Sequence, residues 1–306
     1  MITTKQVISL LELPGIGVKT VEKLLPLLPA GNPHNLDIYD IMIENRLVKG
    51  LTIDIYESLF FKTSFLLEKL ENLNIQVYSR FDTEFPSRLK TIPNPPLLIY
   101  VQGDIKCLTS YPTVAAIGTR TPTDFGYKIG ERAGEFLADQ GITVVSGLAK
   151  GCDTAGHIGC LRKGGKTAAV LAHGLSTVYP KENTALAHKI VESGGCLVSE
   201  YSYDTHPRSN YFIERDRIQS GLSVAVLVIE TDIKSGTMHT VRFTIDQRRD
   251  LYCINYPDDK KSSVSMGNDS LITEGLAKPV YTKDDFEALV SSVMNNYSTK
   301  SSDFII

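Results

Sequence analysis

The stretch VVSGLAKGCDTAGH, residues 144–157, decides the fold of this chain. An apolar strand gives way after Val145 to a turn that contains Ser146, Gly147 and Gly151, and a helix follows. A strand that passes through a glycine-rich turn into a helix is typical of α/β proteins. Such a turn directs backbone N–H groups toward an anion such as a phosphate, or it is a structural turn alone.

The same alternation of strand and helix continues on both sides of this stretch. Apolar strands are predicted at 113–118, 143–147, 166–174, 196–200, 224–230 and 251–255. Helices are predicted between them at 127–140, 154–163, 184–193, 211–220 and 237–248. Nearly uninterrupted apolar strands separated by helices indicate a sheet covered on both faces. The predicted fold is therefore α/β, with an extended Rossmann-like, doubly wound and mostly parallel sheet.

The whole chain is predicted to divide into four segments. Residues 1–78 are predicted to form a small all-helical domain, like a SAM or helix-hairpin-helix domain. Apolar residues recur there at three- and four-residue spacing, which predicts helices at 5–11, 18–28, 35–44 and 53–72. A proline-rich connector over 79–104 is predicted to be extended and to pack on the core. The Rossmann-like domain is predicted over 105–281. Residues 282–306 are predicted to be a short helix and a frayed tail, with no winged helix.

Composition excludes several classes of protein. A formal net charge of -3 over 306 residues excludes a globally basic nucleic-acid binder and leaves room for a local basic stripe. The five cysteines form no CxxC pair, so neither a disulfide framework nor a zinc ribbon is expected, and no metal site is predicted. No secretory leader is visible and no apolar run reaches the roughly 18 residues of a membrane span. We therefore expect a cytoplasmic protein without membrane contact.

Small or hydroxylated residues follow four of the predicted strands. Ligands of doubly wound sheets bind beyond the carboxyl ends of the strands, where these residues are expected to lie together. Any one of these turns alone is explained equally well by glycine making a tight bend. As a set they predict one anion-lined groove with phosphate-binding loops at Gly118, Thr119, Ser146, Gly147, Gly174, Ser235, Gly236 and Thr237.

Basic residues surround the same predicted edge. Arg120 directly follows the first strand of the sheet, where a guanidinium can hold a phosphate through two hydrogen bonds. Further cations are expected to track a phosphate backbone, although Lys163 is better explained as a solubilising residue. The predicted nucleic-acid-binding residues are Arg120, Lys150, Lys166, Lys181, Arg215 and Arg217, with Lys163 and Arg208 nearby.

No catalytic or cofactor signature accompanies this groove. Walker A, nucleophile-elbow, HExxH and dinucleotide fingerprints are missing from the sequence, so no cofactor is predicted. Asp153 and His157 lie four residues apart at a helix start. They are best explained as a carboxylate that caps the helix and a histidine with a local hydrogen bond.

A second phosphate-binding pattern lies near the N-terminus. Residues 13–19, LPGIGVK, match a helix-hairpin-helix turn, whose glycines present backbone N–H groups to a nucleic-acid phosphate. Gly15, Gly17 and Lys19 are its candidate contacts. Helical hairpins of this kind also serve packing alone, and the sequence leaves both interpretations open.

Together these motifs resemble the DNA-processing protein A family, also called DprA or Smf. The motifs that carry the resemblance are PPLLIYVQGD, IGTR, SGLAKGCDTAGH, YPKEN, VSEY, FIERDRIQSGLS and GNDSLITEG, and it extends over about residues 10–278. It implies a helical domain joined to an extended Rossmann fold. It also implies non-catalytic binding of single-stranded DNA without strong sequence preference, loading of the RecA recombinase in natural transformation, and a homodimer. By position, the family's DNA-contacting cations correspond to Arg120 and Lys181.

Three departures from the family pattern stand out. The segment FIERDR brings Glu214 and Asp216 into a region that the resemblance implies is basic, which is expected to weaken phosphate binding. Residues 238–242 and the pair Tyr256-Pro257 also differ from the family pattern. Alternative functions therefore stay open: a nucleotide-binding or nucleotide-hydrolysing protein that uses Glu230 or Asp153, or a module that binds a protein partner.

Overall fold

The N-terminal residues form four helices and one strand. In the computed structural model, which describes residues 1–302 and the side chains through residue 298, the four helices follow the predicted helical pattern closely, whereas the strand departs from the all-helical prediction. They are α1 (Thr4–Leu11), α2 (Val18–Leu24) with a 3-10 turn over Leu25–Leu27, α3 (Asn35–Glu44), α4 (Ile53–Asn72) and β1 (Ile75–Ser79).

Side chains at the helix starts explain where these helices begin. Thr3 and Gln6 form a capping box at α1, in which the Gln6 N–H donates to Thr3 Oγ1 at 3.2 Å and the Thr3 N–H donates to Gln6 Oε1 at 2.9 Å. At α4, the Ile55 N–H donates to Thr52 Oγ1. Each cap satisfies an N–H group that has no partner within the helix.

The proline-rich segment is less extended than the sequence indicates. It contains a one-turn helix, α5 (Ser87–Lys90), and a strand, β2 (Leu98–Gly103). By internal contacts the chain divides into two units: Met1–Phe85 with Pro96–Val101, and Pro86–Pro95 with the chain from Gln102 onward. The chain therefore passes between the two units three times, after residues 85, 95 and 101, and not at the predicted boundaries 78 and 104.

The second unit is a doubly wound α/β domain, and the predicted fold class is confirmed. Its strands are β3 (Thr113–Ile117), β4 (Thr143–Ser146), β5 (Thr167–Val170), β6 (Cys196–Ser199), β7 (Ala225–Val228), β8 (Asp250–Ile254) and β9 (Lys278–Val280). They run in the order β6-β5-β4-β3-β7-β8-β9, and every pair is parallel. The six predicted strands are all present. The short β9 was not predicted, because two of its three residues are exposed and it has no apolar run.

Helices connect the strands of this sheet. They are α6 (Lys106–Thr109), α7 (Asp124–Asp139), α8 (Cys152–Arg162), α9 (Thr184–Glu192), α10 (Ser209–Leu222), α11 (Thr237–Asp246), α12 (Met266–Thr273) and α13 (Lys283–Ser302). The last continues beyond residue 294, where the predicted C-terminal helix ends, and Tyr297 in this extension packs against the apolar core. The predicted frayed end at 303–306 lies outside the described residues. None of the described helices is long and apolar enough to cross a membrane.

Candidate nucleic-acid interface

A pocket lies where the winding of the sheet reverses direction. Strand β3 pairs with β4 on one side and with β7 on the other, so the loops after these strands part at its carboxyl end. The pocket has a volume of about 360 Å³. It is lined by the loops after β3, β4 and β7 and by helices α10 and α11. The ligand groove predicted from the sequence lies at this position.

Arg120 lies exposed at the mouth of this pocket. Its guanidinium is 5.3 Å from the centre of the Phe212 ring, a distance at which a cation is attracted to an aromatic face. Within the part of the chain that the structure describes, no carboxylate forms an ion pair with it. Arg120 therefore offers an uncompensated positive charge at the predicted position.

Two aromatic rings extend the site beyond the pocket. Tyr179 and Phe212 have ring centres 5.7 Å apart, and a smaller hollow of about 100 Å³ lies against them and Arg120. Tyr179 is 47% exposed, and Lys181, two residues later, is exposed as well. Neither ring was predicted, although each lies in a motif quoted for the family resemblance. The available signal was an aromatic residue shortly before a cation in both motifs, Tyr179 before Lys181 and Phe212 before Arg215.

The glycine-rich turn after β4 encloses a carboxylate of its own chain. The N–H groups of Gly147 and Ala149 donate to Asp153 Oδ2 at 3.0 and 3.3 Å, and the Ser146 hydroxyl donates to the Ala116 carbonyl. These donors, predicted to meet a phosphate, are already engaged. Asp153 lies in the second position of α8, so it stabilises the preceding loop instead of capping the helix.

Arg215 is buried beneath the pocket instead of facing solvent. Its Nη1 donates to the carbonyls of Gly147 at 2.8 Å and Val170 at 2.5 Å, and its Nε donates to Asp216 Oδ1 at 3.2 Å. A Cβ atom at Gly147 would overlap this guanidinium, so a side chain there would displace Arg215. Arg215 thus ties the ends of β4 and β5 to α10.

The two carboxyl groups near Arg215 lie in a water-poor environment. Burial raises the pKa of Asp153 to about 6, against the opposing charge of Arg215. Burial also raises the pKa of Asp216, again opposed by Arg215. Both side chains line the pocket, so its floor carries two acids and one guanidinium. That floor disfavours a phosphate and favours hydrogen-bond donors.

Other predicted cations are paired or lie elsewhere. Arg217 forms a two-point pair with Glu200, at 2.8 and 2.6 Å, and Lys150 pairs with Glu182 at 2.5 Å. Lys166 immediately precedes β5, and its ammonium lies 4.5 Å from the centre of the Tyr111 ring. Because the strand begins there, Lys166 is at the edge of the sheet opposite the pocket. Its predicted position near the groove is wrong. Lys163 is exposed and pairs with Asp139, in agreement with its interpretation as a solubilising residue.

Of the remaining predicted loop residues, all but Gly174 line the pocket, Gly118 and Thr119 among them. Gly118 lies against Cys152 and the Glu230 carbonyl, and the Thr119 N–H donates to that carbonyl at 2.7 Å. Gly174 lies against the backbone of Tyr203 and is outside the pocket. At the start of α11, Ser235 Oγ accepts from the Thr237 N–H at 3.3 Å and lies 3.1 Å from Thr237 Oγ1. Ser235, Gly236 and Thr237 all line the pocket.

Glu230, which the hydrolase alternative invokes, and His157 are both fully buried. The Glu230 carboxylate accepts from the Thr123 N–H at 2.7 Å and from the Thr123 hydroxyl at 2.9 Å, beneath the start of α7. His157 Nδ1 lies 2.6 Å from Thr167 Oγ1, and burial lowers its pKa to about 3. Both residues hold the fold together, as the local-hydrogen-bond interpretation of His157 predicts.

The helix-hairpin-helix segment forms the predicted turn between α1 and α2. Gly15 has a φ of 78°, a conformation that favours glycine, and Gly17 directly precedes α2. Gly15, Gly17 and Lys19 are exposed. The turn is therefore accessible, and its contact with nucleic acid stays a prediction.

Comparison with known proteins identifies the family. A family model described as DNA recombination-mediator protein A matches residues 76–291, which is more than half of the chain. This chain belongs to the DNA recombination-mediator protein A family.

Curated relatives in this family include several Smf and DprA proteins. Protein Smf of Synechocystis sp. is 34% identical over 255 residues, covering 82% of this chain and 56% of its own length. DNA processing protein DprA of Streptococcus pneumoniae is 35% identical over 208 residues, covering 68% of this chain and 72% of its own. The chain spans about half the length of the Smf proteins of Synechocystis and Escherichia coli, 56% and 47%.

Solved structures of the family share this fold. The X-ray structure of DprA from Streptococcus pneumoniae superposes with a TM-score of 0.74 at 30% identity, over 94% of this chain and 98% of that one. DprA from Helicobacter pylori gives a TM-score of 0.63 at 25% identity, over 72% of this chain and 96% of that one. The Helicobacter structure was described for a unique single-stranded DNA binding mode of that protein.

The residues that depart from the family pattern differ in whether they line the pocket. Asp216 and His239, from two of the departing segments, line the pocket of this DNA recombination-mediator protein A member. Glu214 accepts from the Tyr201 hydroxyl at 2.8 Å, away from the pocket. Tyr256 is buried, and its hydroxyl donates to the Ile229 carbonyl at 3.2 Å. The acidic change that bears on the site is therefore Asp216.

Proposed function

We propose that this chain binds single-stranded DNA along the surface formed by Arg120, Phe212, Tyr179 and Lys181. The single observation that carries the proposal is the unpaired Arg120 beside two aromatic rings at the switch-point pocket. Bases stack on aromatic rings regardless of their sequence, at about 1–3 kcal/mol per base, while cations hold the backbone. A surface of this kind binds strands without strong sequence preference.

The charges of the site suit a phosphate backbone in spite of the acidic total. Lys150 and Glu182 form an exposed pair, with more than half of each side chain accessible. Exposed pairs contribute only about 0–1 kcal/mol, so a phosphate readily replaces the carboxylate. Lys150 then contacts the DNA backbone together with Arg120 and Lys181. Arg215 and Arg217 act in this proposal through the fold, because carbonyls and Glu200 already engage them.

The proposed role is non-catalytic and belongs to DNA recombination in the cytoplasm. Relatives named for DNA processing, and the relative described for its single-stranded DNA binding mode, support it. In this proposal a homodimer holds the strand and loads the RecA recombinase onto it. The hydrolase alternative loses support because Thr123 encloses Glu230 under α7. Its other candidate, Asp153, already accepts from the N–H groups of Gly147 and Ala149.

The test is fluorescence anisotropy of a labelled oligothymidine across a salt series. Arg120→Glu and Lys181→Glu are each expected to weaken binding at least tenfold, because each substitution turns an attraction for phosphate into a repulsion. Each is also expected to lower the slope of log K against log salt by about one. A duplex of the same length should bind more weakly than the single strand.

Lys163→Glu is the matched control, since Lys163 is an exposed lysine at the opposite edge of the sheet. It should bind as the wild type does. Equal losses in the control and in the Arg120 variant, or binding that does not respond to salt, would overturn the proposal.

A further inference from the structure

Leu148 has a strained backbone in the turn that follows β4. Its φ of 59° lies in the left-handed region, where leucine is rarely found, and its side chain is fully buried. Such a conformation persists only where the surrounding structure holds it. Asn183 contributes to holding it, because its Nδ2 donates to the Leu148 carbonyl at 2.7 Å. A side chain distant in the sequence therefore stabilises the strained turn.

Asn183 connects this turn, residues 147–150, to the segment 179–183. Its Nδ2 also donates to Thr154 Oγ1 at 3.0 Å, at the start of α8. Its own backbone N–H donates to the Pro180 carbonyl at 3.0 Å and so closes the short turn that carries Lys181. Asn183 is 8% exposed, so water competes poorly for these hydrogen bonds.

The 147–150 turn and the 179–183 segment both line the smaller hollow of the proposed DNA surface. The turn contributes Lys150, and the segment contributes Tyr179 and Pro180. Lys150 and Lys181 are exposed, and the proposed function places both on the DNA backbone. The spacing between the turn and the segment therefore decides whether one DNA strand contacts both lysines.

Two contacts of different kinds hold this spacing. One is the exposed ion pair between Lys150 and Glu182, in which a DNA phosphate replaces the carboxylate. The other is the buried Asn183 amide, which stays in place when that pair is broken. The bonds that Asp153 and Thr154 make to Ala149 fix the turn only to α8, which directly follows it.

We propose that Asn183 is a positioning residue for DNA binding, which holds Lys150 at the distance from Lys181 at which one strand contacts both. This inference rests on the proposed function and adds a buried residue to it. Loss of the Asn183 side chain frees the turn at Leu148 but leaves the backbone bond that shapes the Lys181 turn. Asn183 therefore acts through Lys150 and not through Lys181.

The test is a double-mutant cycle, measured by anisotropy of labelled oligothymidine across a salt series. Asn183→Ala and Lys150→Ala are each expected to lower the slope of log K against log salt by about one, because each removes one phosphate contact. The double variant should bind as Lys150→Ala alone does, to within about twofold. Asn183→Ala combined with Lys181→Ala should instead weaken binding by the product of the two single losses.

Asn268→Ala is the matched control for the loss of a buried amide. Asn268 is fully buried, and its Nδ2 donates to the carbonyls of Ile229 and Ile254 at 2.9 and 3.0 Å. These carbonyls lie at the ends of β7 and β8, on the other side of β3 from the 147–150 turn. The control should lower the melting temperature, as Asn183→Ala does, and leave the salt slope unchanged.

Thr154→Val is a milder second variant, because it removes one hydrogen-bond partner of Asn183 and leaves the Asn183 amide in place. It should weaken DNA binding where Lys150 is present and have no effect in the Lys150→Ala background. If Asn183→Ala does not fold, this pair of measurements decides the question by the same criterion.

The outcomes separate the inference from the proposed function. If the wild type binds no DNA strand, the proposed function fails, and the role of Asn183 fails with it. If the wild type binds and the losses of Asn183→Ala and Lys150→Ala multiply, Asn183 supports the fold alone. The inference is then overturned, as it is by a wild-type salt slope in Asn183→Ala, and the proposed function stands.

Discussion

At the scale of single residues, Arg120 and Arg215 show how one residue type takes two roles. Both were predicted from the sequence to bind nucleic acid. Arg120 lies exposed above an aromatic ring, whereas Arg215 is 5% exposed and donates to two carbonyls at strand ends. Sequence alone predicts Arg120 from its place after a strand. It does not separate Arg215 from Arg120, because burial depends on how α10 packs on the sheet.

Asp153 makes stability depend on pH. Its pKa is about 6 in the folded chain and 3.8 in the unfolded one, so between these values the folded protein holds a proton that the unfolded chain has lost. Stability from this residue therefore falls as pH rises through that window, by about 3 kcal/mol in total. Asp216 acts in the same direction.

Asp153→Asn removes this dependence, because the amide oxygen still accepts from Gly147 and Ala149 and carries no charge. Urea denaturation from about pH 4 to pH 7 should show a flatter profile for this variant than for the wild type. Asp139→Asn, an exposed site, provides the control. Parallel profiles for wild type and Asp153→Asn would contradict the assignment.

At the scale of elements, most helices and strands were predictable and the proline-rich segment was not. The bounds of α3 and α4 match the predicted helices at both ends, since caps and apolar spacing act locally. Prolines correctly exclude a long helix, but they carry no information about which unit a short helix packs against. Helix α5 packs within the second unit, where Leu89 and Ile92 lie close to Gly221 of α10.

Leu89→Ala is expected to destabilise the second unit by about 2–5 kcal/mol, because the fully buried side chain leaves a cavity. Hydrogen exchange measured by mass spectrometry should show faster exchange in α10 and β7. Ser87→Ala, exposed in the same helix, should exchange as the wild type does. If Leu89→Ala leaves α10 and β7 protected, the segment does not support the second unit.

At the scale of the whole molecule, the expected assembly is a homodimer. Sedimentation velocity should give about twice the chain mass of 33.7 kDa, and adding single-stranded DNA with RecA should produce a complex that contains all three. Two grooves on one strand double the number of phosphate contacts, so the salt dependence of strand binding should be steeper than one groove accounts for. A monomer at all concentrations would contradict this expectation.

The position of the pocket, where the winding of the sheet reverses direction, also constrains how the protein folds during synthesis. Strand β3 at Val114 pairs with Ala225 of β7, and the pocket is lined by residues from Ile117 to Thr240. Such non-local pairing closes large loops and slows folding. During synthesis the site is incomplete until the chain beyond Thr240 has left the ribosome. A nascent chain therefore has no complete groove that could bind nucleic acid near the ribosome. The protein can bind a strand only after the sheet has folded.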